Sequence, residues 1–83
     1  MTPYKILEVL NIYEKQLNAY IFGNMRPDRH KDLQHLRMMI PQIRKFLENR
    51  RMEKSCRWLG FMQGAFWILG IYSIHEMRDH NKP

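Results

Sequence analysis

Eighty-three residues make one small domain, and a single cysteine, Cys56, excludes an internal disulfide. A chain this short buries only about 60–65% of the surface its unfolded form exposes, so its core needs support, and self-association is the support left to it. The formal net charge of +6 is concentrated: ten of the fourteen Lys and Arg residues lie between Arg26 and Arg57, against Asp28, Asp32, Glu48 and Glu53. That segment carries the whole excess, which points to an anionic partner, with a solvated helix face as the plainer alternative.

The first helix is expected over residues 3–22. Thr2 stands as N-cap with Pro3 at the first helical position. Ile6, Leu10, Tyr13, Leu17 and Tyr20/Ile21 then recur at steps of four and three, the apolar stripe of an amphipathic helix. Gly23 and Asn24 are expected to stop it in the left-handed conformation. After a connection through Pro27, Asp28 is a plausible cap for a second helix over 28–51, with Leu33, Leu36, Ile40, Ile43 and Leu47 in helical register. Pro41 falls inside it, and a kink or a break is expected near Met39–Ile40.

A third helix is expected over 52–69. Trp58, Leu59, Phe61, Met62, Ala65, Phe66, Trp67, Ile68 and Leu69 surround its axis, so it should be buried on all sides, in part by a second copy of the chain. Cys56, Gly60 and Gly64 lie one turn apart and form a line of small residues. With Trp67 they are the expected oligomer interface, with Cys56 packed and inert. Gly70 ends the helix, and Ser73 with Glu76 predicts a capping box that opens a last helix over 74–80, with Tyr72 and Met77 in the staple positions. The chain is thus expected to be all-α: a bundle of three to four helices within one domain, residues 1–83, completed by self-association.

Chemistry is sparse. His75 with Asp79 and Glu76 with His80 are each one turn apart, but a zinc site wants three or four convergent ligands, so neither a metal nor a cofactor is expected. His30 and His35 do not share a helix face. There is no glycine-rich phosphate loop, no paired buried carboxylate set and no serine triad, which argues against an enzyme. The apolar run from Trp58 to Tyr72 is about 15 residues, roughly 22 Å as a helix, short of the about 20 residues that span a bilayer. No secretory leader is visible, and the lone thiol suits a reducing compartment, so the expected location is the cytoplasm.

The basic segment is the strongest candidate site. Arg37, Arg44 and Arg51 recur every seven residues and form a stripe if the helix continues through Pro41, with Lys45, Arg50, Lys54 and Arg57 nearby. Such a stripe would hold an anionic protein surface or, as the alternative, the phosphates of a nucleic acid or nucleotide. No recognition helix with adjacent base-reading side chains is evident, and the aromatic residues fall outside the stripe.

The last third, Arg57 to Pro83, resembles small bacteriophage-encoded proteins of unassigned function. The matching pieces are Trp58-Leu59-Gly60-Phe61, Gln63-Gly64, Trp67, Gly70, Tyr72-Ser73-Ile74 and Glu76-Met77-Arg78-Asp79-His80-Asn81. The resemblance covers about a third of the chain and carries over no catalytic or ligand residue. It implies an accessory protein of the bacterial host cytoplasm that binds and inhibits or modulates a host or host-defence component. A small membrane-active protein, inserted through Trp58–Tyr72, is a third and lesser expectation.

Overall fold

The computed structural model describes residues 1–23 and 30–82. These form four α-helices in chain order: α1 (Pro3–Phe22), α2 (His30–Glu48), α3 (Met52–Ile68) and α4 (Ile74–Asn81). The expected Asp28 cap and the Asn24–Pro27 connection lie outside the described residues.

Helix α1 begins as its sequence predicts. The Thr2 hydroxyl accepts the Lys5 N–H at 3.1 Å, and Pro3 occupies the first turn. Its end differs from expectation. Gly23 is extended (φ −93°, ψ −167°) and not left-handed. A Cβ there would stand 2.7 Å from the Ala19 carbonyl oxygen, so close approach is what calls for glycine.

Helix α2 passes through Pro41 without a break. Pro41 is exposed, as is Arg37 one turn before it, so the proline and the turn it interrupts lie on the solvent side of the helix. The helix ends three residues earlier than expected, because the chain turns back at Arg50 (φ +59°). There the Arg51 N–H bonds to the Phe46 carbonyl at 2.8 Å and the Arg50 N–H to that of Leu47 at 3.0 Å. This is the Schellman closure, with an arginine in the position glycine usually holds. The same closure ends α3: Gly70 has φ +73°, Ile71 N–H bonds to Phe66 O at 2.9 Å, and Gly70 N–H to Trp67 O at 3.1 Å. Helix α4 opens with the predicted capping box, Ser73 and Glu76 exchanging hydrogen bonds of 3.1 and 2.9 Å.

The core forms where α1 lies against the other three helices and α2 lies against α3. Ile6, Val9, Leu10, Tyr13 and Leu17 meet Leu33, Leu36, Met39, Ile40 and Ile43, with Leu59, Met62, Phe66 and Met77 closing the cluster. Each such burial stabilises the fold by about 1.5–3 kcal/mol.

Helix α3 is not covered on all sides within the chain. Leu59, Met62 and Phe66 are buried, but Phe61, Trp67 and Ile68 are 60%, 52% and 75% exposed. The reason is thickness: the molecule measures 36 × 25 × 17 Å. Helices with their side chains are about 10–12 Å across, so the shortest dimension leaves no room for a third layer over α3.

Candidate functional site

The cationic residues singled out by spacing do not form one stripe. Arg44 points from α2 toward α1. Its guanidinium makes two hydrogen bonds of 3.1 Å to the Glu14 carboxylate and one of 2.8 Å to Asn11. These bonds hold the Glu14 carboxyl below its ordinary range, with a smaller push from the Arg37 charge. Arg37 and Lys45 are exposed on α2. Arg50 and Arg51 lie beyond the end of α2, so the seven-residue repeat is broken before Arg51. At that turn the Lys54 ammonium lies 4.6 Å and the Arg51 guanidinium 5.7 Å from the centre of the Phe46 ring. Phe46 in turn packs edge-on against Trp58, ring centres 4.9 Å apart.

Trp58 of that pair also lines a long groove between α2 and α3. The groove consists of two adjoining hollows of about 630 and 640 Å³, both lined by His35 and Phe61. In the first, Met38, Met39 and Gln42 of α2 face Arg57 and Trp58 of α3. In the second, Asp32 and Leu36 face Gly64, Ala65, Trp67, Ile68 and Leu69. The floor and walls are apolar, and Met38 is 71% exposed on one lip. Lys45, Lys54 and Arg57 make no ion pair among the described residues. Trp58 and Phe61 therefore share a groove with Arg57, whereas the sequence had separated aromatics from cations.

Family models, characterised proteins and solved structures give no match to this chain.

The line of small residues overlaps the groove at Gly64 and Trp67, which line its second hollow. Cys56 and Gly60 border a shallow hollow with Met1, Leu59, Gln63 and Asn81. Gly64 and Trp67 border a second with Ile74, Met77 and Arg78. Cys56 is exposed, contrary to the packed thiol expected, and no heavy atom comes within 4 Å of a Cβ built at Gly60 or Gly64. Ser55 is the buried neighbour; its hydroxyl donates to the Arg51 carbonyl at 2.8 Å.

A polar cluster that spacing did not reveal joins α1, α3 and α4. Tyr13, fully buried, accepts a hydrogen bond of 2.9 Å from the Gln63 amide and lies 3.0 Å from His80 Nδ1. Which of the two groups donates in that contact is set by the His80 tautomer. Gln63 also exchanges two hydrogen bonds with Asn81, at 2.7 and 3.2 Å. Phe66, Tyr72 and His80 surround the Tyr13 ring, with centres 4.7 to 5.4 Å from it. Burial pushes the Tyr13 hydroxyl up to about 12 and raises that of Tyr72 as well. His80 is thereby a packing partner, where the sequence reading had left it on the surface.

His75 lies 3.8 Å from Asp79, and Lys82 lies 3.1 Å from the same carboxylate. No group of three or more potential metal ligands occurs among the described residues. No described helix is long and apolar enough to cross a membrane.

Proposed function

We propose that this chain is a non-catalytic binding protein whose contact surface is the apolar α2/α3 groove together with the basic residues around the α2–α3 turn, and whose partner is a protein with an anionic surface. One observation carries the reading: two adjoining apolar hollows between α2 and α3, with Arg57 in their lining and not ion-paired among the described residues. Exposed apolar surface with polar margins is the ordinary composition of an interaction site. Arg44 belongs to the internal scaffold in this reading, and the functional cations are those nearer the α2–α3 turn. The resemblance of the last third to phage-encoded proteins supports a setting in the bacterial cytoplasm, where occupancy of a host or host-defence component would inhibit or modulate it. The line of Cys56, Gly60, Gly64 and Trp67 is proposed as the face on which a second copy packs.

Nucleic-acid binding is the second reading, favoured by the placement of Trp58 and Phe61 beside Arg57. Capture of partners from bacterial lysate, with and without nuclease, separates the two. The bait is the full chain, compared with a variant carrying Met38→Glu and Phe61→Glu. A nuclease-resistant protein retained by the native chain and lost by the variant is the expected result. Retention by both overturns the groove as contact surface, and loss of every partner on nuclease treatment favours the second reading.

A further inference from the structure

We infer that Arg50 is a contact residue for carboxylates of the partner, presented with Arg51 and Lys54 from a basic corner at the α2–α3 turn. The inference rests on the proposed reading of this chain as a binder of an anionic protein surface, and adds the residue that meets the anion and the chemistry it meets.

The backbone is the first argument. Arg50 holds φ +59°, the left-handed conformation that glycine adopts readily and an L-residue resists. The turn is pinned there, with the Arg50 N–H bonded to the Leu47 carbonyl at 3.0 Å and the Arg51 N–H to that of Phe46 at 2.8 Å. Glycine would make the same bonds without strain, so the closure does not call for an arginine side chain. Nor does the packing. The side chain is exposed and makes no ion pair and no cation–ring contact among the described residues. Backbone strain with no use inside the fold is a mark of sites that meet another molecule.

Charge is the second. Between Lys45 and Arg57 the chain carries five Lys and Arg residues against Glu48 and Glu53. None of the seven is ion-paired among the described residues, whereas Lys5, Arg44 and Lys82 elsewhere each hold a carboxylate. Two of these cations converge on one ring, the Lys54 ammonium at 4.6 Å and the Arg51 guanidinium at 5.7 Å from the centre of Phe46. The ring holds like charges close together with no counter-ion between them, and such a cluster attracts an anion. Phe46 packs in turn on Trp58, which lines the groove, so the corner adjoins the apolar contact surface.

The extent of the patch is the third. A nucleic-acid strand needs a track of cations longer than one corner. Lys5 on α1 and Lys82 after α4, which could extend such a track, are paired with Glu8 and Asp79. The Phe46 ring, which could stack a base at this corner, is already taken by two cations and by Trp58. A short run of Asp and Glu needs only a compact patch, and the planar guanidinium fork matches a carboxylate.

The test is anisotropy of two dye-labelled 12-residue peptides titrated with the full chain at low salt, one carrying six glutamates and the other six glutamines in their place. The glutamate peptide is expected to bind and the glutamine peptide to stay free. Arg50→Gly should weaken the glutamate peptide about fivefold, while its melting temperature stays at or above the native value. Lys15→Gln, which removes the same charge from an exposed position on α1, should change the affinity less than about twofold. Equal affinities of native and Arg50→Gly protein, or equal losses in Arg50→Gly and Lys15→Gln, overturn the inference. A melting temperature lowered by Arg50→Gly also overturns it, since the side chain then serves the fold. So does a 20-nucleotide single strand that binds more tightly than the peptide and is weakened by Arg50→Gly, which assigns the corner to phosphates. Lysate capture keeps this inference apart from the reading beneath it. A partner lost by Met38→Glu/Phe61→Glu and kept by Arg50→Gly removes Arg50 and leaves the groove as contact surface; one lost by Arg50→Gly alone removes the groove and leaves the corner.

Discussion

Arg44 commits its guanidinium to α1, in a partly exposed pair with Glu14, and this one side chain changes how the basic segment is understood. Its two bonds to Glu14 tie α1 to α2, so Arg44→Ala should lower stability by up to about 1 kcal/mol, the upper range for a well-aligned, partly exposed pair. Arg44→Glu should cost more, because it sets two carboxylates face to face. The Glu14 carboxyl is held below the 4.5 of a free glutamate, so its contribution is present above that pH and fades as pH falls through the folded value. Urea titrations at pH 7 and pH 3 should therefore show a smaller gap between native and Arg44→Ala protein in acid. Tyr13 works in the opposite range. Its folded value of about 12 exceeds the ordinary 10, so the unfolded chain loses that proton first and stability falls as pH rises from 10 toward 12. Tyr13→Phe should remove that alkaline loss, and cost about 1 kcal/mol at neutral pH by leaving the Gln63 amide and the His80 ring nitrogen without their common partner. Neither role was legible in the sequence. Glu14 and Arg44 are thirty positions apart and Tyr13 and His80 sixty-seven, and helical periodicity sorts residues onto faces without saying which faces meet.

Helix ends were the most legible features, because capping chemistry is local. Thr2-Pro3, Ser73 with Glu76, and Gly70 each hold the role their residue types predict. The end of α2 escaped notice because Arg50 occupies a left-handed position that composition assigns to Gly or Asn. An L-residue there costs roughly 1–2 kcal/mol, partly offset by the greater unfolded freedom of glycine, so Arg50→Gly should stabilise the protein by about 0.5–1 kcal/mol. A melting temperature unchanged or lowered by Arg50→Gly would contradict that balance. Pro41 misled in the other direction: a proline inside a helical pattern predicts a kink or boundary, yet α2 runs from His30 to Glu48 through it, with Pro41 on the solvent side and Ile40 and Ile43 packed in the core. Gly64 offers the sharpest test on α3. Since a Cβ at this position meets nothing within 4 Å, Gly64→Leu should leave the fold intact and raise helix stability by up to about 1 kcal/mol. Assembly through the small-residue line should be lost at the same time. Light scattering beside thermal melts checks both; a mass above that of one chain that survives Gly64→Leu removes this line as an interface.

At the scale of the whole molecule, the all-helical class and helix order follow from periodicity, while the groove does not. An all-apolar α3 implies burial on every side, and only the thinness of the assembled chain shows which of its apolar residues stay outside. The distinction matters for stability. Phe61, Met38 and Ile68 contribute little to the core, so charged replacements there should leave the denaturation midpoint within about 0.5 kcal/mol of native in free-energy terms. Leu59, Met62 or Phe66 to alanine should cost about 2–5 kcal/mol each. Two variants of one helix, a turn apart, would thus separate recognition from folding.

The chain has two tryptophans, and they stand in different surroundings. Trp58 is half-buried in the first hollow of the groove, packed against Phe46, and Trp67 is exposed, lining both the second hollow and the shallow one beside α4. Replacing Trp67 with phenylalanine would leave a single indole whose emission colour reports the wetness of the groove. Filling the groove should move that emission toward the blue, and water readmitted on release should return it. The protein thus carries its own optical gauge of occupancy, readable without any attached dye.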